Sequence, residues 1–361
     1  MKKIRTPRME TVHTDCRFFR GDTPCSFHKS EGIHCQDCSH YEPIDIRILL
    51  IKLGAVGDVI RTTPLLRRLW QEFPHAHITW LTHTPEVVPR RVDRVLLFDP
   101  AVLVYLLATN FDLLYNLDKD AEACAVAELV QAKQKYGFGL RHGYCYPLNS
   151  LAEHKFLTGL FDDLNRANRK SYPQEIFEIC GFEFEGEKYV LDRPSRERQW
   201  TIVQPHPLIG LNTGCGERWK TRLWPDEYWI ELAKKLQQAG MGVLFLGGAQ
   251  EHEKNLRLSH ASGGSYLGYF PLPEFIQLVD QCDLLVTAVT MALHVAIGLE
   301  KRVVLFNNIF NRYEFELYGL GEILEPAVEC VGCYRQKCDI DCMQMIEPEL
   351  VLQTVREILK M

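Results

Sequence analysis

The 361-residue chain has no uninterrupted apolar run of the roughly 20 residues that a membrane-crossing helix needs. Its longest apolar stretches, ILLIKLGAVG from Ile48 and VLLFDPAVLVYLLA from Val95, are broken by Lys, Gly, Asp or Pro, so no transmembrane helix is expected. MKKIRTPRMETVHTD starts basic but lacks an apolar segment behind it, which argues against a secretory signal and makes a cytoplasmic location the expectation. Positive charge is not in excess: 41 Lys and Arg against 47 Asp and Glu give a net −6, which argues against nucleic-acid binding through bulk charge. GAVGDV lacks the G-x-G-x-x-G spacing of dinucleotide sites, and no GK[ST] follows to make a Walker loop. An even cysteine count is also lacking, and thirteen thiols in a reducing compartment are poorly explained by wholesale disulfide pairing.

What is present suits a folded core. With 46% hydrophobic and 24% charged residues, global disorder, collagen-like repeats and a coiled coil are excluded, and the length fits two domains better than one. From about Asp45 a Cys/His-rich arm gives way to apolar runs alternating with amphipathic stretches, the pattern of β-α units around buried parallel strands. Strands are predicted at 47–53, 77–83, 94–99 and 111–117, with helices over 60–74, around 122–133 and over 152–164. The polar, Pro-bearing stretch 191–205 reads as a strand end and a linker. A second alternation then places strands at 209–214, 241–248, 283–289 and 301–307, and helices over 225–240, 271–282, 290–300 and 347–361. The fold class is α/β: two Rossmann-like doubly wound domains, 45–195 and 196–361, facing a cleft, behind an arm at 1–44. Such sheets bind ligands beyond the carboxyl ends of their strands.

Three segments fall at those ends. In KLGAVGDVIRTTPLL a strand runs through a glycine turn into a helix. Gly54 and Gly57 allow a ligand close to the backbone, and Asp58 either caps the helix or serves as a general base. LNTGCGERWKTRLWPDEYW sets Thr213, Gly214 and Gly216 after a strand, and Arg218, Lys220 and Arg222 before a helix. Helix-start amides favour anions and Arg or Lys adds charge-assisted bonds, so this is a phosphate site or else a solvated basic loop. Trp219 and Trp224 read as packing residues. In DLLVTAVTMALHVAIGLEKRVVLF a buried strand runs into a helix whose first turn carries Thr290 and whose second carries His294; as its N-cap, Thr290 leaves the helix's amides for a diphosphate. His294 is a structural histidine or a ligand contact. Glu314 and Glu316, in FNNIFNRYEFELYG, recognise hydroxyls or are loop charges.

Cys16, Cys25, Cys35 and Cys38 follow C-x8-C-x9-C-x2-C, which suits a tetrahedral Zn site with His28, His34 and His40 as substitute ligands. Cys330, Cys333, Cys338 and Cys342 follow C-x2-C-x4-C-x3-C, dense enough to hold Zn or Fe. With four protein ligands such sites are structural, anchoring the arm or a contact in a homo-oligomer, and the alternative is inert thiols. Two other functions stay open on these residues. Lys2, Lys3, Arg5, Arg8, Arg17 and Arg20 near the first cluster allow a zinc-ribbon-like nucleic-acid-binding or regulatory arm, and two Cys clusters allow an iron–sulfur redox enzyme.

The three cleft segments, in this order, resemble glycosyltransferase family 9, the heptosyltransferase family. ILLIKLGAVGDVIRTTPLLRRLWQEFPHAHITWL is similar to the family's strand, short [SG]-x-x-GD-[VI] turn and TxPLL[RK]-type helix, and the resemblance runs from about Arg47 to the end. It implies a GT-B fold and makes Asp58 the base that deprotonates the acceptor hydroxyl. The family's basic residue before its W-P-x-x-x-[WY] helix lies near the donor phosphates; here it is Arg222 in place of the usual lysine, with Lys220 nearby. The donor-binding D-[ST]-G-x-x-H helix start reads Val289-Thr290-Met291 here, keeping Thr290 and His294 and replacing the acid and the glycine. The implied reaction is inverting transfer of a sugar from a nucleotide sugar, ADP-heptose by default, with the leaving diphosphate stabilised electrostatically and no catalytic metal. The implied acceptor is a lipopolysaccharide-core or other surface glycan, lipid-linked, or a protein. Relatives include iron-containing protein heptosyltransferases with Cys-rich segments near the second cluster. A lipid-linked acceptor also implies peripheral contact with the inner membrane, for which a basic helix face with Arg61, Arg67 and Arg68 is a candidate unless that face is simply solvated.

Overall fold

The computed structural model describes residues 8–193, 198–216 and 218–361. The expected domain boundary at 195/196 falls outside the described residues, as do Lys2, Lys3 and Arg5. Six strands form the first sheet: β1 (Ile46–Ile51), β2 (Ala76–Thr82), β3 (Arg94–Leu97), β4 (Asn110–Asn116), β5 (Gln131–Arg141) and β6 (Tyr144–Pro147). Their order is β3-β2-β1-β4-β5-β6, parallel throughout except for the antiparallel β5–β6 hairpin. β1 is central because Ile48 to Ile51 are buried on both faces, and an all-apolar strand needs covering on both sides. β7 (Leu208–Asn212), β8 (Gly242–Leu246), β9 (Leu284–Ala288), β10 (Arg302–Phe306) and β11 (Gly321–Leu324) form a second, wholly parallel sheet ordered β11-β10-β9-β7-β8.

Several helices differ from the sequence expectation for local reasons. The segment 60–74 is two helices, Val56–Ile60 and Pro64–Glu72, because Pro64 takes the N1 position, where its missing N–H costs nothing. The helix expected around 122–133 stops at Leu129, and Gln131 onward is strand β5. That over 152–164 is broken into Glu153–Thr158 and Asp162–Ala167 around Gly159.

The domains meet where Val56–Ile60 of the first packs on Met291–Gly298 of the second. Gly57 makes this approach possible: a Cβ there would fall 2.7 Å from His294 Cδ2. Residues 183–193 run between the domains. Arg67 donates to the carbonyl oxygens of Lys188 and Tyr189, while Tyr318 Oη donates to Glu187 O. Arg68 pairs with Glu185 and Glu187. The basic face expected at Arg61, Arg67 and Arg68 is divided: Arg67, still exposed, and Arg68 hold this connector, while Arg61 turns to Asp58.

The arm lies at the opposite end of the first sheet from the cleft. Arg17 ties it down, pairing with Asp93 and Glu42 and donating to the carbonyl oxygen of Ala76, the first residue of β2.

Candidate functional site

The carboxyl end of β1 turns sharply at Gly54, and the turn is held by a residue that the sequence reading did not single out. Asp118, just beyond β4 and 7% exposed, accepts the N–H groups of Leu53 and Gly54 on Oδ2 at 2.9 and 2.7 Å and that of Lys119 on Oδ1 at 3.0 Å. Lys52 Nζ lies 3.5 Å from the same carboxylate. Gly54 therefore admits Asp118, since a Cβ would lie 3.1 Å from Oδ2. Both glycines expected to admit a ligand instead admit protein groups, Asp118 at Gly54 and His294 at Gly57.

Asp58 sits in the first turn of the next helix, with its side chain 35% exposed and Arg61 Nη2 2.8 Å from Oδ1. No side-chain cap bond is made at this helix start, so Asp58 is not an N-cap. Arg61 also lies 3.6 Å over the ring of Tyr172, a cation–π contact that fixes its direction. Burial alone would raise the Asp58 pKa, but the charges of Arg61 and Lys52 outweigh it and hold the carboxyl down to about 2. Glu314 stands among the charges acting on Arg61, and Glu316 among those acting on Tyr189. Both glutamates face this junction through their charge, while their oxygens accept from Tyr334 Oη and Tyr318 N–H respectively.

His294 is 5% exposed, and its Nδ1 is 3.2 Å from Tyr189 Oη. Burial and then the Arg61 cation push its pKa down to about 3, so it is neutral at working pH. It packs against Gly57 and lies behind the donor-side pocket rather than in its wall, which favours the structural reading. A group whose folded pKa lies below its unfolded value near 6.5 binds its proton more readily in the unfolded chain. His294 thus contributes full stability above pH 6.5 and loses it as pH falls toward 3. Unfolding in urea at pH 7.5 and pH 5 is expected to show a loss of about 2 kcal/mol from this group, with the difference reduced in His294→Gln; an unchanged slope in that variant would contradict the assignment.

Across the junction a pocket of about 500 Å³ opens at the carboxyl ends of β7, β8 and β9. Gly214, Cys215 and Gly216 form one wall, Gly247, Gly248, Gln250 and Glu251 a second, and Thr290, Met291 and Ala292 a third, while Val56 reaches in from the first domain. Thr290 takes the N-cap position of Met291–Gly298, but its hydroxyl does not cap the helix. It is held by Asn212 Nδ2 at 3.3 Å and lies 3.1 Å from Thr287 Oγ1, so the first-turn amides keep no side-chain cap. A Cβ on Gly214 would fall 2.5 Å from Glu251, so this glycine lets the two loops close on each other. Thr213 lies below the surface, donating to Asn255 Oδ1 at 2.6 Å, and Lys220 is exposed outside the lining. Arg222 lines the pocket, yet its guanidinium donates to the carbonyl oxygens of Val289, Cys215 and Trp219, tying one wall to another. Trp224, 2% exposed, is a packing residue as expected.

The β8 loop, with Gln250 and Glu251, was not visible as a site in the sequence, because AQEHEK reads as an ordinary polar helix start. Only its place after a buried strand of the second sheet signals it.

Cys16, Cys25, Cys35 and Cys38 line one cavity of about 320 Å³ with His28 and His34. The second cluster backs the donor pocket: Asn308 Nδ2 donates to Cys342 Sγ at 3.4 Å and to Thr221 O at 2.8 Å, and Cys330, Cys333 and Cys338 are the thiols acting on Cys342. All thirteen cysteines are free, and among the described residues no three His, Cys, Asp or Glu are already assembled around a point where a metal could sit.

Two parallel-sheet domains facing across a cleft, with a carboxylate on one side and an uncapped helix start between glycine loops on the other, make this an enzyme of the GT-B class. Residues 102–308 match the family description "Glycosyltransferase family 9 (heptosyltransferase)". The chain belongs to that family and is a glycosyltransferase. It is 24% identical over 256 residues to lipopolysaccharide heptosyltransferase 1 of Escherichia coli K12, covering 63% of this chain and 75% of that one. In structure it is similar to a family 9 glycosyltransferase from Veillonella parvula, at TM-score 0.69 and 18% identity over 88% of this chain and 98% of the other. It also resembles TibC, a dodecameric iron-containing heptosyltransferase in complex with ADP-D-beta-D-heptose, at TM-score 0.57 and 11% identity over 87% and 76%. This resemblance of fold matches the GT-B expectation.

Proposed function

We propose that the enzyme transfers a sugar, heptose from ADP-heptose by default, to a hydroxyl of a lipopolysaccharide-core or related surface glycan with inversion at the anomeric carbon. One observation carries the reading: a single helix, Val56–Ile60, lines the donor pocket with Val56 and presents Asp58 one half-turn on. Asp58 takes the acceptor proton as the acceptor oxygen attacks the anomeric carbon, and the bond from that carbon to the diphosphate oxygen breaks with its electron pair on the diphosphate. The charge that develops there meets the amides at Met291 and Ala292 and those of the glycine loops, fixed dipoles that need no reorganisation. Arg222 keeps those walls together. No helix among the described residues is long and apolar enough to cross a membrane.

Calorimetric titration with ADP, UDP and GDP tests the donor site. ADP is expected to bind at least tenfold more tightly than the others, and Arg222→Ala to weaken it about tenfold, equivalent to roughly 1.4 kcal/mol. Absence of nucleotide binding by folded protein would remove the reading.

The two cysteine quartets are proposed as structural Zn or Fe sites, and as places where copies of the chain could join. The donor chemistry fits, with four thiols in each quartet and imidazoles beside the first. The first is remote from the cleft and would brace the arm; the second would brace Thr221 and the loop carrying Arg222. Elemental analysis of protein prepared without added metal should give close to two metal ions per chain. Cys35→Ser/Cys38→Ser should lose one and leave nucleotide binding intact; metal-free wild-type protein with unchanged melting would refute both sites.

A further inference from the structure

The seam between the arm and the first sheet concentrates positive charge in a chain whose net charge is −6. Two adjoining cavities, of about 410 and 250 Å³, open there and share Arg17, Phe19, Arg20, His77 and Arg94. Strand register builds one wall. Arg47 of β1 stands beside His77 of β2, and Thr79, two residues on and so on the same face, stands beside Arg94 of β3. All four line the smaller cavity. The arm brings Arg17 and Arg20 to this face, and Arg90 and Arg91 add to the lining of the larger cavity.

Carboxylates do not balance these cations. Asp93 is the one carboxylate among the described residues of either lining, and it is already engaged: it pairs with Arg17 and accepts the N–H of Ile78 at 2.8 Å. Glu42 also pairs with Arg17. Asp112, whose charge meets that of Arg47, is held by Lys133 at 2.7 Å and accepts the backbone N–H of Arg47. Arg90 has only the exposed Asp192, at 3.9 Å. Among the described residues Arg20, Arg47, Arg91 and Arg94 make no ion pair; Arg91 lies 4.2 Å over the ring of Trp70, and Arg94 donates to Tyr105 Oη. His77 registers the same surplus. Burial pushes its pKa down, and the opposing pull of Asp93 is outweighed, with Arg47, Arg94 and Arg17 adding to the fall.

Guanidinium forks match phosphate oxygens two at a time, and Thr79, 2% exposed, adds a hydroxyl to the wall. Cavities of this size suit a small molecule rather than a polymer. They also lie away from the cleft: Arg47, His77 and Arg94 open their strands, whereas Asp58 follows the carboxyl end of β1. We propose that the seam is a second ligand site, taking a small molecule with two or more phosphate charges and, by bridging Arg20 of the arm to Arg47 and Arg94 of the sheet, locking the arm in place. This site does not depend on the transferase reading.

Chymotrypsin, which cuts beside aromatic residues such as Phe18, Phe19 and Phe27, probes the arm of the full chain without depending on arginine. Millimolar inorganic pyrophosphate is expected to slow cleavage of the arm about tenfold, orthophosphate to slow it less, and about 0.5 M NaCl to weaken the protection. Arg47→Gln/Arg94→Gln should abolish the protection. Arg20→Gln, at an exposed residue whose side chain makes no ion pair, should weaken pyrophosphate binding severalfold in calorimetry while melting as wild type. Arg222→Ala, in the donor pocket, should leave arm protection as in wild type, which separates this site from diphosphate binding in the cleft. Pyrophosphate that fails to protect the wild-type arm, or that protects the seam variants equally, overturns the proposal. Protection by a single-stranded oligonucleotide but not by pyrophosphate overturns it in favour of a nucleic-acid-binding arm. Failure of ADP to bind any form would sink the transferase reading and leave the arm result untouched.

Discussion

Asp58→Asn is expected to lower sugar transfer by about 10²–10⁴-fold, the range for losing a general base, while leaving ADP affinity within twofold of wild type. Asparagine keeps the shape and still accepts from Arg61, so the loss isolates proton acceptance. The pH profile adds a second, sharper test. The Asp58 carboxyl is already held down to about 2 in the free enzyme, below its ordinary 3.8, so it is ionised at every pH at which the fold is used. Its protonation produces no fall in kcat/KM between pH 4 and 7, and any acid limb in that window belongs to another group or to the substrate. Arg61→Met removes the cation while leaving the burial that raises the pKa, so Asp58 should move up by roughly 1–3 units and an acid limb should enter the measurable range. Proton affinity also sets a limit on how Asp58 works: a carboxylate this acidic is a weak base on its own. Its competence depends on the acceptor hydroxyl drawing it from Arg61, or on proton transfer late in bond formation. Asp58→Asn retaining more than a tenth of wild-type transfer would show that the proton goes elsewhere.

The sequence announced the elements whose signal is local and strong. β1 and β9 are apolar on both faces, and Asp226–Gln238, Leu272–Gln281 and Pro348–Leu359 have an apolar stripe at helical spacing, so periodicity alone places them. β5 was hidden because QAKQKYGFGLR continues a helical stretch without a break and is half polar. Its partner strand β6 has only four residues, and the edge strand β11 is equally short. Asp58 was legible because a carboxylate follows a glycine turn after a buried strand. What could not be read is what depends on distant pairing. Gly57 looks like a ligand-facing glycine until His294 is seen to fill the space beside it. Arg222 looks like a phosphate ligand until its guanidinium is found on the carbonyl of Val289. Arg68 looks solvent-facing until the connector 183–193 folds over it and pairs it with Glu187.

Asp118 illustrates the same point with the largest stability consequence. NLDKD reads as loop charges, yet Asp118 receives two amides and a buried ammonium from a segment 65 residues earlier. Lys52 is 5% exposed, so removing the carboxylate leaves two N–H groups without their acceptor and a buried cation with only the Leu117 carbonyl oxygen and the more distant charge of Asp58. Losing one partner of a buried ion pair costs about 3–5 kcal/mol, far more than the same change at the surface, where pairs contribute about 0–1 kcal/mol. Asp118→Ala is therefore expected to unfold about 3–5 kcal/mol more readily in urea and to lose transfer even where it remains folded, because the turn that presents Asp58 is no longer held. The variant Asp118→Ala/Lys52→Met separates the two effects. It removes the stranded charge together with its partner and should recover much of the stability, yet the amides of Leu53 and Gly54 still lack their acceptor and transfer stays low. Recovery of both stability and transfer would mean that Asp118 serves only to neutralise Lys52, and that the shape of the turn comes from Gly54 alone.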